Sequence, residues 1–213
     1  IHTDVSCNNG SDGSITTTVN GGTPAYTFLW SNAVTTQNRT GLTAGTYGLT
    51  VTDAHACSAT LSVTLIQPTA LFISSTQVNE ICFGGTAGSI SLTDTGGTAP
   101  YGYLWNDGNT SQNRSSLIAG VYTVTSSDSH GCTVSLTDTI TEPASIAVTT
   151  AVVNDSCFGG SNGSAAVNAS GGTNTYTFLW SVVDTAQIRN GLTAVNYSIA
   201  VTDGKTGIAT AQA

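Results

Sequence analysis

Cysteine is the residue in this 213-residue chain whose type and spacing most directly suggest chemistry. Cys7 and Cys57 stand fifty positions apart, and Cys82 and Cys132 repeat that interval. Position 207, where Cys157 would find its counterpart, holds Gly207. Paired thiols serve either a metal or a disulfide. Zinc sites use Cys-x-x-Cys pairs or histidines at ligand spacing, and none is present. The spacing therefore predicts bridges Cys7 to Cys57 and Cys82 to Cys132, each closing a loop worth roughly 4 kcal/mol in the chain-entropy model, and an oxidising compartment. Cys157 is left as an unpaired thiol, explained either by an irregular, unclosed copy or by a bridge to another molecule.

Catalysis needs two or more titratable groups converging on a pocket. His2, His55 and His130 have no Ser or Cys partner recurring at a common phase, and Lys205 takes the histidine position in the last copy. No catalytic residue, cofactor or metal is expected. Asn8 to Gly13 has oxygen donors in the manner of a calcium loop, but its counterparts at 83–88 and 158–163 hold too few carboxylates, which favours a tight turn. Asp53, Asp128 and Asp203 end strands, where an Asp accepts the amides of its own turn. Arg39, Arg114 and Arg189 would read an anionic glycan or, as preferred in so acidic a chain, pair locally and lie over aromatic rings. Tyr103 and Phe178 compete between stacking on sugars and packing beside a core Trp.

The elements that position these groups follow from a repeat of 75 residues without insertion or deletion. Trp30, Trp105 and Trp180 share one phase and Tyr47, Tyr122 and Tyr197 another, with Gly21-Gly22, Gly96-Gly97 and Gly171-Gly172 in a third. Pro68 and Pro143 close the first two copies, because proline lacks the amide a strand needs. The expected domains are 1–68, which lacks most of its first strand, 69–143, and 144–213, with a truncated last strand and no second cysteine. Period-two alternation over Ser14 to Val19, Tyr26 to Trp30, Tyr47 to Thr52 and Ala59 to Ile66 marks strands, with turn residues between them. No helical periodicity occurs. The fold class is all-β: three tandem immunoglobulin-like or fibronectin-like β-sandwich domains in an elongated array, with about seven short strands per copy. An incomplete edge would invite strand addition from a neighbouring subunit; a chain cut from a longer array is the competing account.

Composition narrows the partners. Charged residues are 8% of the chain and the net charge is -8, which repels phosphate backbones and anionic lipids, so nucleic acid is not an expected partner. No apolar run is long enough to cross a membrane, and no signal peptide opens the chain. With no Met and Ile1 first, the chain reads as a mature or trimmed fragment.

Cys7 to Ile15, Gly21-Gly-Thr-Pro-Ala-Tyr-Thr-Phe-Leu-Trp30, Gly41-Leu-Thr-Ala-Gly-Thr-Tyr47 and Val51-Thr-Asp53 with Cys57 resemble the SprB-type repeat of Bacteroidota gliding-motility adhesins and related cell-surface proteins. The second copy keeps Cys82-Phe-Gly-Gly, Trp105 and Asp128 to Cys132; the third loses the second Cys and the Gly before Tyr197. The resemblance implies surface display, on a cell or in a secreted filament, and supplies no catalytic residue. A disulfide-pinned spacer, stalk or filament segment is the expected function, with neighbouring copies or adjoining repeats as partners; a module binding surface polysaccharide or another glycan is the alternative. Asp138-Thr139-Ile140 and Asp184-Thr185-Ala186 resemble the O-glycosylation sites of the same phylum, making Thr139 and Thr185 candidate acceptors.

Overall fold

A computed structural model describes all residues, 1–213. It contains eighteen strands and no helix. In the first copy, β1 (His2–Thr3), β2 (Gly13–Ile15) and β4 (Arg39–Leu42) form one three-stranded sheet, and β3 (Thr27–Trp30), β5 (Gly45–Thr52) and β6 (Ser58–Leu65) form another. The second copy repeats the pattern: β7 (Phe72–Val78), β8 (Gly88–Thr95) and β10 (Arg114–Leu117), then β9 (Gly102–Trp105), β11 (Gly120–Ser127) and β12 (Thr133–Ile140). The third does so with β13 (Ala147–Val153), β14 (Gly163–Ser170) and β16 (Ile188–Leu192), then β15 (Thr177–Trp180), β17 (Ser198–Thr202) and β18 (Ile208–Gln212). No sheet takes strands from two copies. The stretches 66–71 and 141–146 carry no strand.

By contacts the chain forms two compact units. One is Ile1–Ser75 with Leu92–Gln112 and Thr123–Thr137; the other is Thr76–Ser91 with Asn113–Tyr122 and Asp138–Ala213. The first unit contains the core of copy one, where Ile15, Trp30, Leu42, Leu49 and Leu65 are buried and Phe28, Tyr47 and Val63 pack against them. The second contains the core of copy three, formed by Ala165, Val167, Trp180, Leu192, Tyr197, Ile199 and Val201. Alternation produces these cores, since successive strand residues face opposite sides and only the apolar phase turns inward, as along β8, where Gly88, Ile90 and Leu92 are buried.

Each copy has six strands, one fewer than expected. The residues between the third and fourth strands are used as a loop that serves the tryptophan: Trp30 donates its indole N–H to the Thr36 carbonyl, and Thr17 donates its amide to the Asn38 side chain. That leaves no length for a further strand. Strand β2 also stops at Ile15 rather than Val19, whereas its counterparts β8 and β14 run eight residues. Its neighbour β1 is two residues long, against seven in β7 and β13, and the pairing with it ends at Thr16, whose amide and carbonyl bond to Ile1.

The second strand of every copy begins at a buried glycine facing a shift in register. A Cβ on Gly13, Gly88 or Gly163 would meet a leucine carbonyl oxygen at 2.8, 2.7 or 2.9 Å. A side chain there would have to push the bulged strand away.

Candidate functional site

The hairpin between the last two strands is a polar structure made three times. In copy one, Asp53 Oδ1 accepts the amides of His55 and Cys57, both at 2.9 Å, and Oδ2 accepts that of Thr23 at 3.0 Å. Asp128 does the same with His130, Cys132 and Thr98, and Asp203 with Lys205, Gly207 and Thr173. The carboxylate ties its own turn to the threonine that follows the glycine pair, in the loop before β3, β9 or β15. Gly22, Gly97 and Gly172 have φ of 70°, 58° and 59°, and a Cβ on any of them would approach the Asp carboxylate oxygen at 3.0 Å or less. The structural reading of the three aspartates holds: their oxygens are spent on backbone amides.

Those bonds lower the carboxyl pKa values. The Thr23 amide, then that of Cys57, holds Asp53 below its ordinary value, and the Thr173 amide leads the same effect at Asp203. At Asp128 burial pushes upward, but the amides of Thr98, Cys132 and His130 together outweigh it. Because the folded pKa lies below the unfolded value near 3.8, the bonds contribute fully above that value and are lost as pH falls through the folded one. The denaturant midpoint is therefore expected to stay level from neutrality down to about pH 4 and to drop below it. Asp53→Asn, Asp128→Asn and Asp203→Asn combined should flatten that acid limb; an unchanged limb would assign it elsewhere.

A second repeated assembly surrounds the tryptophans. Trp30, Trp105 and Trp180 are buried and donate to the carbonyls of Thr36, Ser111 and Ala186 at 2.7–2.8 Å. Arg39 lies over the rings of Trp30 and Tyr47, Arg114 over Tyr122 and Arg189 over Tyr197, at 5.5–5.9 Å. Arg189 also approaches Asp184 at 3.5 Å. The arginines thus pack on aromatic faces, and Arg189 also pairs locally. Tyr47 and Tyr122 donate back to the carbonyls of Thr43 and Ile118, four residues upstream, as in a tyrosine corner. Sequence reasoning missed Gln37, Gln112 and Gln187, which donate to the carbonyls of Thr17, Leu92 and Val167 at 2.8–3.0 Å. Their common phase was the available signal.

Of the two aromatics weighed for sugar stacking, Phe178 packs against the core of copy three. Tyr103 donates to Asp94 at 2.6 Å, and burial together with that carboxylate pushes its phenol upward. Asp94 also accepts from buried Ser126 at 2.6 Å. The same phases hold Val19, Phe28 and Val51 in copy one and Ala169, Phe178 and Val201 in copy three, so this polar trio belongs to the middle copy. In the candidate calcium loop, Asp12 accepts the Ser6 amide, and Asn162 repeats that bond with Ser156, making the segment a self-closed turn. Thr139 and Thr185 are exposed.

The cysteines require a correction. The disulfide joins Cys7 to Cys132, 125 residues away, while Cys57, Cys82 and Cys157 are free thiols; neither Cys7 to Cys57 nor Cys82 to Cys132 forms. Register gives the reason. Cys7 sits where β6 ends, since Val5 donates its amide to the Ile66 carbonyl and Asn9 its amide to the Gln67 side chain. Cys57 sits where β6 begins, at Ser58. Eight strand residues between them span on the order of 23 Å, whereas a disulfide needs Cα atoms within about 7 Å. The Cα atoms of Cys7 and Cys132 are 5.7 Å apart. Within the other unit, the Cys82 thiol donates to the Lys205 carbonyl at 2.8 Å, on the hairpin turn of copy three.

In copies one and two, a buried Trp on the first strand of one sheet accompanies a tyrosine corner on its second, while in copy three Tyr197 stands just before β17 and its hydroxyl meets the Thr193 amide and hydroxyl. These features define a tandem immunoglobulin-like β-sandwich repeat. The chain belongs to the SprB repeat family, whose sequence profile matches residues 1–35, 74–110 and 149–185, just over half the chain. Among solved structures, it is similar to the N-terminal eight Ig domains of Down Syndrome Cell Adhesion Molecule at 11% identity and a TM-score of 0.45, covering 99% of this chain and 35% of that one. It therefore spans about a third of that structure. Amphioxus IgVJ-C2 aligns at 15% identity and a TM-score of 0.31, over 64% of this chain and 99% of that one. Domains 4–9 of the surface layer protein SbsC align at 14% and 0.24, over 94% and 41%. No curated protein matches the chain.

Proposed function

We propose that this chain is a non-catalytic segment of a bacterial surface protein or secreted filament, working as a spacer or stalk that is covalently braced from one repeat to another. The observation that carries the reading is the Cys7–Cys132 bond, which joins a loop of the first copy to the hairpin tip of the second. Support also comes from how the polar side chains are used: the aspartates, tryptophans, glutamines and tyrosines that recur in phase bond to backbone within their own copy, leaving no repeated cluster aimed at a ligand. Adjoining repeats are the partners this reading requires.

A glycan-binding module is the second reading, favoured by Phe83 and Phe158, which follow the first cysteine of their copies with open rings, Phe158 fully exposed. Aromatic faces of this kind stack on sugars. The test is a glycan array and a polysaccharide pull-down with the purified chain. A blank result is expected for the spacer. Saturable binding that disappears in the double variant Phe83→Ala, Phe158→Ala would replace it with the adhesin.

A further inference from the structure

We infer that the cysteines of this chain follow a next-repeat rule: the first cysteine of a repeat bonds to the second cysteine of the repeat that follows. Cys7 and Cys132 obey it directly. Cys82, the first cysteine of copy two, has its thiol on the Lys205 carbonyl, within the copy-three turn that holds position 207. Position 207 is where Cys57 and Cys132 stand in their own copies, and it is Gly207 here. The second rung is thus in place except for one sulfur. The rule makes Cys57 and Cys157 open half-rungs: Cys57 for the first cysteine of a preceding repeat, Cys157 for the second cysteine of a following one. The partner at both is a repeat of this same kind.

Both halves of the joint have the same local build in every copy. The first cysteine opens a turn in which Gly10, Gly85 and Gly160 donate their amides to the carbonyls of Cys7, Cys82 and Cys157. The second position is held by the aspartate: the amides of Cys57, Cys132 and Gly207 reach Asp53, Asp128 and Asp203 at 2.8–2.9 Å. A Cβ at Gly207 would lie 3.1 Å from the Asp203 carboxylate, the group to which Cys57 and Cys132 already hydrogen-bond in their copies. That approach is tight, and a cysteine fits once the Asp203 carboxylate gives by a few tenths of an ångström, as a cysteine already stands beside the equivalent carboxylate in copies one and two.

Bond formation removes two protons and two electrons from a pair of thiols and leaves one S–S bond, while the oxidant, a small-molecule disulfide such as oxidised glutathione, is reduced to two thiols. The test is Gly207→Cys in the full chain, oxidised with glutathione disulfide, digested without reduction and mapped by mass spectrometry. The expected result is a peptide linking Cys82 to the sulfur introduced at position 207, beside the Cys7–Cys132 peptide, with Cys57 and Cys157 still open to a thiol label. A peptide linking Cys157 to the introduced sulfur, which is the within-copy pairing, or an unreacted Cys82 overturns the rule. The native chain gives a second reading that needs no variant. Lys205 is its single lysine, so a short amine-to-thiol cross-linker is expected to join Lys205 to Cys82; attachment to Cys157 instead would count equally against the proposal.

Discussion

Stretched from its two ends without reductant, the chain is expected to extend about 40–45 nm less than after the disulfide is reduced, because the 125-residue separation between Cys7 and Cys132 stays locked and each residue spans roughly 3.3–3.6 Å. Bridges inside each copy would instead hide two segments of about 17 nm apiece, so the size of the increment separates the two pairings. The equilibrium counterpart is large as well. A loop of this length is worth about 5 kcal/mol in the chain-entropy model, and Cys7→Ser with Cys132→Ser should lower stability by an amount of that order. Equal extension with and without reductant would rule out the cross-repeat bond.

Trp180→Ala carries the other large expectation. The indole is 1% exposed, sits among Val167, Ile199 and Val201, and holds the Ala186 carbonyl through its N–H. Removing it opens a cavity and strands the acceptor, for a loss of about 3–5 kcal/mol. Trp180→Phe keeps most of the volume and loses the hydrogen bond, for about 1–3 kcal/mol. Urea denaturation reads both. A loss under about 1 kcal/mol for the alanine variant would mean that the ring is not what fills this core.

The fold was legible because its determinants recur in phase. A Trp, a Tyr, an Asp and a pair of glycines returning every 75 residues mark positions where one local geometry is built again, and alternation gave the strands between them. The roles of Asp53, Asp128 and Asp203 could be read the same way, since an aspartate at a strand end has its own turn amides within reach. Cysteine pairing could not. The interval from Cys7 to Cys57 says that both sulfurs belong to one copy, but not that β6 separates them; that depends on which end of the sandwich each loop occupies. Arithmetic on spacing is blind to the length of a strand lying between. The polar trio of Asp94, Tyr103 and Ser126 was hidden for another reason: it breaks the repeat instead of following it, and phase agreement was the signal in use.

That trio has a consequence for how the chain avoids mistaking one repeat for another. Nearly equivalent sequences in tandem are prone to strand exchange while they fold. Were β8 to enter the first sandwich, Asp94 would arrive where Val19 belongs, and the phases of Tyr103 and Ser126 would hold Phe28 and Val51, with no hydroxyl to receive it. A part-buried carboxylate that loses both donors is disfavoured. The middle repeat therefore carries a mark of identity in its interior, one that is satisfied at home and penalised in a neighbour.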